Sequence, residues 1–217
     1  MHIPDGFLDA KTWITTAAVG AGALSYSLKK VQETYNERMI PVMGVLAAFI
    51  FAAQMVNFPI AGGTSGHLLG ATLVTVLLGP WCSGLIISTV LIIQCFFFND
   101  GGLTALGANT LNMAFIGSLT AFVIYKTASS IGQSKNFEKA AIFLSAWASV
   151  VVVALAAALE LAFSGIVPLN VAIASMLGLH ALIGIGEGLI TVVVISYVRG
   201  VGFSQSWQQK KTGEDEM

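Results

Sequence analysis

Charge is what this sequence lacks. Only 10% of its 217 residues are Asp, Glu, Lys or Arg, while 56% are hydrophobic. Soluble domains carry roughly 25% charged residues, so a water-soluble globular protein is excluded. The formal net charge is −1, which leaves no electrostatic basis for binding nucleic acid. Cysteine occurs twice, as Cys82 and Cys95, each inside an apolar run. Both read as small core residues, not as a disulfide or a CxxC site. No GxxxxGK[ST] loop and no HExxH pattern occurs. Any ATP hydrolysis must come from another subunit, and a metalloprotease is disfavoured. No Lys or Arg precedes Lys11. A cleavable signal needs such a basic start, so the chain is expected to keep its N-terminus.

Long apolar runs are what the sequence has instead. Crossing ~30 Å of hydrocarbon takes about 20 residues of helix. Seven stretches fit: 12–28, 39–56, 64–79, 81–98, 103–125, 140–163 and 169–198. The third is short and broken by glycine, a feature that often borders a binding site. With seven spans, Lys29, Lys30, Arg38, Lys126, Lys135, Lys139, Arg199, Lys210 and Lys211 fall on one side, and only Lys11 on the other. The positive-inside rule then gives an all-α, polytopic membrane helix bundle of about seven transmembrane helices, N-terminus outside and C-terminus cytoplasmic. Residues 1–201 form one integral membrane domain, and 202–217 a polar cytoplasmic tail. Small residues four apart (Ala17/Ala21, Ala18/Gly22, Ala48/Ala52) permit close helix packing. Ala48/Ala52 is the preferred face for docking another subunit.

Histidine is scarce: His2, His67 and His180. His2 and His67 share the expected outer face. A free α-amine, the amide nitrogen of residue two and the Nδ1 of a His at residue two can chelate one metal. The rings closed are five- and six-membered. The amide must lose its proton, which Cu(II) and Ni(II) promote well. A fourth nitrogen from His67 completes a tetragonal site that suits Ni(II) or Cu(II) better than zinc. The chemistry requires Met1 to stay, and a bulky His at position two disfavours its removal. Pro4-Asp5-Gly6 suits a turn that folds residues 1–8 inward. The plainer alternative is a solvated terminus, with His67 a polar group at a helix start.

Other polar residues lie in or near the spans. His180 and Glu187 are seven apart in the last span, on one helical face. Ionisable groups at that depth are functional candidates, but the favoured reading is an interhelical lock, too deep for a site built on residue one. Asn57, Thr64, Ser65, Asp100 and Asn109 are candidates to support metal-bound imidazoles, as are Gln94 and Asn112. A competing function is a membrane electron carrier or haem protein with His67 and His180 as axial ligands. Their unequal depth fits it poorly.

Four stretches resemble a known family. They are Met1-His2-Ile3-Pro4-Asp5-Gly6-Phe7-Leu8, Gly62-Gly63-Thr64-Ser65-Gly66-His67-Leu68-Leu69-Gly70-Ala71, Gly79-Pro80-Trp81, and Asp100-Gly101-Gly102-Leu103-Thr104-Ala105-Leu106-Gly107-Ala108-Asn109 with Asn112-Met113. They are similar to the CbiM/NikM family, the substrate-binding subunits of nickel and cobalt transporters of the energy-coupling-factor type. The resemblance covers the whole chain. It implies a transporter subunit, not an enzyme, in the plasma membrane of a prokaryote. It implies Ni(II) as substrate, Co(II) as the alternative, and ligands at Met1, His2 and His67. The implied partners are a transmembrane coupling subunit, two cytoplasmic ATPases and a separate small membrane subunit. A free α-amine titrates near ~8, so metal affinity is expected to fall not far below neutral pH.

Overall fold

A computed structural model describes residues 1–60, 64–132 and 134–202, with Ile60 and Thr64 described by backbone alone. An extended N-terminal peptide leads into α1 (Ala10–Thr34), a 3-10 turn (Glu37–Met39) and α2 (Ile40–Met55). A small hairpin follows, β1 (Phe58–Ile60) and β2 (Thr64–Gly66), then α3 (Ala71–Leu78) and α4 (Pro80–Phe98). One rod runs through α5 (Leu106–Asn109), a π-helical stretch (Thr110–Ile116) and α6 (Gly117–Ile131). Helices α7 (Lys135–Phe163) and α8 (Leu169–Gly200) complete the described chain. Helix starts obey local chemistry: Asp9 accepts the Thr12 N–H at 3.1 Å, and Ser134 that of Phe137 at 3.2 Å.

These segments run to and fro between two ends of a bundle. One end gathers the N-terminal peptide, the hairpin and the turns around Asp100 and Gly165; Ser164 Oγ reaches Asp9 there at 3.3 Å. The other end gathers the turns around Tyr35, Gly79 and Ser134. There the Tyr35 hydroxyl donates to the Leu78 carbonyl and Arg199 pairs with Glu138.

Five helical stretches are long and apolar enough to cross a membrane: Glu37–Met55, Pro80–Phe98, Leu106–Ile131, Lys135–Phe163 and Leu169–Gly200. The expected span 64–79 is not one helix. Its first part is strand and loop, and α3 has eight residues, ~12 Å at 1.5 Å per residue. Glycine sets that break. Gly70 has φ +78°, and a Cβ there would stand 2.2 Å from Ile50 Cδ1. The hairpin pairs Phe58 with Gly66 and Ile60 with Thr64, a departure from the all-α expectation. The tail expected from 202 onward lies outside the described residues beyond Gly202.

The small-residue pairs divide. Ala17 packs inside the bundle, where a Cβ on Gly107 would lie 2.3 Å from Ala17 Cα. Ala48 and Ala52 stand exposed on α2.

Candidate metal centre

The N-terminal peptide is threaded into the bundle. Met1 is 1% and Ile3 0% exposed. Ile3 packs among Ala105, Ala108, Leu161 and Met176, and Met1 among Leu69, Leu91 and Met113. Fully burying one such side chain is worth ~1.5–3 kcal/mol, and that burial draws the terminus inward. The buried backbone must then be satisfied. Asn109 Oδ1 accepts the Ile3 N–H at 2.8 Å, and Asn109 Nδ2 donates to the Ile3 carbonyl at 3.0 Å. Gly102 N–H donates to the same carbonyl at 2.9 Å. Asp5 accepts from Leu103 N–H at 3.0 Å and from Thr104 N–H and Oγ at 2.7 and 2.6 Å. The peptide lies so close that a Cβ on Gly102 would stand 2.3 Å from Asp5 N.

Potential ligand nitrogens converge over the hairpin. The Met1 amine donates to the Ser65 carbonyl and, at 3.2 Å, lies on Ser65 Oγ. The His2 amide donates to the same Oγ at 3.3 Å. The His2 and His67 rings stack with centroids 4.6 Å apart and planes 24° apart. His67 Nδ1 lies 2.7 Å from the Leu68 carbonyl. A carbonyl only accepts, so Nδ1 carries the proton and Nε2 presents its lone pair. That Nε2 is buried and has no hydrogen-bond partner. Asp100 Oδ1 stands 2.9 Å from His2 Nδ1. This is ion-pair distance without hydrogen-bond alignment, so both ring nitrogens of His2 lack a hydrogen-bond partner. Asn57 steadies the carboxylate, Nδ2 to Oδ2 at 2.9 Å. Asn99, at φ +53°, ends α4 and turns Asp100 toward the site. Among the described residues no three His, Cys, Asp or Glu side chains converge on a metal position.

Burial tunes the donors. It pushes the Met1 amine from 8.0 down to about 4, with Asp100 opposing. It also lowers the His2 imidazole, again against the pull of Asp100. Both are therefore neutral at pH 7 with lone pairs available. Burial alone would raise the Asp100 carboxyl, but contact with His2, the amine and Asn57 brings it below its usual value. The early affinity loss expected from an amine near ~8 thus applies to a solvated terminus, not to this enclosed one.

The sequence candidates are brought together unevenly. Asn57, Ser65, Asp100 and Asn109 all touch the N-terminal peptide or its contacts. Thr64 is described in its backbone alone, and 61–63 lie outside the described residues. Gln94 is buried beside His2 with both amide atoms free of hydrogen bonds. Asn112 donates to Glu160 at 2.7 Å.

Sequence reasoning missed what fixes the His67 segment. Glu187 accepts the Leu69 and Gly70 N–H at 2.8 and 2.7 Å, and Gln54 Nε2 donates to the Leu69 carbonyl at 2.8 Å. Glu187 is expected to make an interhelical lock; it instead ties α8 to the loop that follows His67. His180 and Glu187 do not lie too deep for a site built on residue one. Met176, one turn before His180, packs in the cluster of Ile3, and Ile183 packs against those of Met1 and Ile3. The terminus itself reaches that depth.

The family described as CbiM, the cobalt uptake substrate-specific transmembrane region, matches residues 2–203. A putative fused nickel transport protein NikMN of Archaeoglobus fulgidus is 38% identical over 91% of this chain, which spans 65% of that protein's length. A cobalt transport protein CbiM of Thermosediminibacter oceani is 31% identical over 90% of this chain and 83% of its own. The crystal structure of a truncated transition metal transporter superposes with TM-score 0.87 at 34% identity, covering 93% of this chain and 99% of that one. With its apolar helices and buried N-terminal peptide, this multi-pass membrane protein belongs to the CbiM family.

Proposed function

We propose that the chain is the substrate-capture subunit of an ATP-driven nickel or cobalt uptake transporter. The divalent metal is its substrate, held by the Met1 amine, the amide nitrogen and Nδ1 of His2, and Nε2 of His67. One observation carries this reading: the amine and the His2 amide meet on Ser65 beside two stacked imidazoles, and both His2 ring nitrogens and His67 Nε2 are buried without a hydrogen-bond partner. Turning the His2 ring by half a revolution about Cβ–Cγ exchanges Nδ1 with Cδ2 and Nε2 with Cε1. With Nδ1 as the ligand the proton sits on Nε2, and Asp100, already beside this ring, is the candidate acceptor for it, the support that metal-bound imidazoles need. Four nitrogens in a tetragonal set favour Ni(II) or Cu(II), and Ni(II) over Co(II). The nickel and cobalt relatives support the pair of substrates.

In this reading seven segments cross the bilayer, α3 being a short one beside the site. Lys29, Lys30, Arg38, Lys126, Lys135, Lys139 and Arg199 fall at the end away from the site, which supports a cytoplasmic C-terminus and an outward-facing Met1. Residues 1–201 make the membrane domain and 202–217 the cytoplasmic tail. A coupling subunit, two ATPases and a small membrane subunit complete the transporter.

The test is calorimetry with Ni(II) and Co(II) on the full chain and on a chain bearing one Gly ahead of Met1, its initiator removed. The insertion keeps every side chain and moves the amine out of the chelate. Loss of tight binding is expected; undiminished binding overturns the ligand set.

A further inference from the structure

The capture site leaves the third histidine unused. His180 is 0% exposed. Its Nδ1 lies 2.7 Å from the Met176 carbonyl, so Nδ1 carries the proton and Nε2 presents a lone pair. That Nε2 is buried without a hydrogen-bond partner. A buried acceptor left bare is rare and calls for a reason. His67 has the same arrangement: Nδ1 on a backbone carbonyl at 2.7 Å and a bare, buried Nε2. The α8 face around His180 reads Met176, His180, Ile183, Glu187. Met176 packs with Ile3, Ile183 packs toward Met1, and Glu187 grips the loop after His67.

We propose that His67 Nε2 and His180 Nε2 form an inner metal site, which takes Ni(II) or Co(II) as it leaves the N-terminal chelate. The inference rests on the capture reading above. Imidazoles whose Nδ1–H is held by a carbonyl are oriented and tautomerically fixed as transition-metal ligands. The transfer is a ligand exchange. His67 Nε2 stays bound, the amine, amide and His2 Nδ1 leave, the amide regains a proton from water, and His180 Nε2 enters with water in the remaining positions. Both imidazoles stay neutral. Two imidazoles without a chelate hold metal less tightly than the outer site, so the inner site receives metal only when the N-terminal peptide lets go.

The experiment separates the two sites by removing the chelate. Ni(II) calorimetry and Co(II) absorption spectra are recorded on the full chain in detergent carrying His2→Ala, His2→Ala/His180→Asn or His2→Ala/His67→Ala. Asn keeps an N–H for the Met176 carbonyl and removes Nε2. His2→Ala is expected to retain weak binding. Either second substitution then weakens it by about tenfold or more and changes the Co(II) spectrum. Residual binding indifferent to His180→Asn, or no residual binding in His2→Ala, overturns the inner site. Undiminished affinity in His2→Ala would overturn the capture reading instead, and the effect of His180→Asn in that background still decides the inner site. Should Asn disturb folding, seen as lost helical dichroism, His180→Gln replaces it in the same comparison.

Discussion

Asn109 embraces Ile3 as a neighbouring strand would, taking its N–H at 2.8 Å and returning an N–H to its carbonyl at 3.0 Å. One side chain thus satisfies the backbone of the residue next to the proposed chelate. Removing it leaves the buried Ile3 N–H unpaired, at ~1–3 kcal/mol, while Gly102 still serves the carbonyl. Asn109→Ala is therefore expected to weaken Ni(II) binding by roughly tenfold or more, because docking and metal binding share the same peptide. Calorimetry checks this; equal affinities would mean that the peptide needs no such anchor.

Proton release gives a second prediction. An amine held at about 4 and an imidazole below its usual value bind no proton at pH 7. Metal binding should then release close to one proton, from the amide, whereas a solvated amine near ~8 would add almost a second. Calorimetry in buffers of different ionisation enthalpy counts them.

The same lowered amine makes docking pH-dependent. Above pH ~8 neither the free nor the docked terminus is protonated. As pH falls from there, the free terminus takes up a proton that the docked one refuses, until the docked amine also titrates at about 4. Stability from docking is full above ~8 and drains across that window. The melting temperature of the metal-free chain should decline from pH 8 toward pH 5, and a chain lacking residues 1–3 should lose this component.

Space supplies a further test. A methyl on Gly102 meets the Asp5 nitrogen at 2.3 Å, whereas one on Gly22 meets nothing within 4 Å. Gly102→Ala should expel the peptide and abolish tight binding. Gly22→Ala should leave affinity intact and stabilise α1 by about 0.5–1 kcal/mol. Equal behaviour of the two variants in calorimetry would contradict the close approach.

Glu187 anchors the other half of the site. A carboxylate can accept both the Leu69 and Gly70 N–H, but the amide of Gln offers only one oxygen. Glu187→Gln should lower the melting temperature and weaken Ni(II) binding through His67. An unchanged affinity would show that the His67 loop holds itself.

How much of this was legible in the sequence depends on the range of each interaction. The chelate proposed at Met1 and His2 rests on local chemistry, so it can be read from two adjacent residues. Helix α8 begins at Leu169, as hydropathy predicts. Helix α1 runs to Thr34, past the apolar limit at 28, because hydropathy reports the hydrocarbon and Lys29 and Lys30 continue a helix beyond it. The contacts of Glu187 with Leu69 and of Asp5 with Thr104 span about a hundred residues. They aim at backbone N–H groups, which leave no pattern of residue types. Gln54 was invisible for the same reason: it serves a carbonyl. The broken third span was half legible, since glycine announced the interruption while the hairpin depended on a pairing with β1.

Met1, at 1% exposure, has no room ahead of it. Any purification tag, linker residue or acyl cap joined to its nitrogen must stay outside, and residues 1–3 must come out with it. Preparations that differ only at that end are then different proteins at the proposed site, so an N-terminally tagged sample reports on the scaffold, and a C-terminally tagged one on the metal centre proposed above.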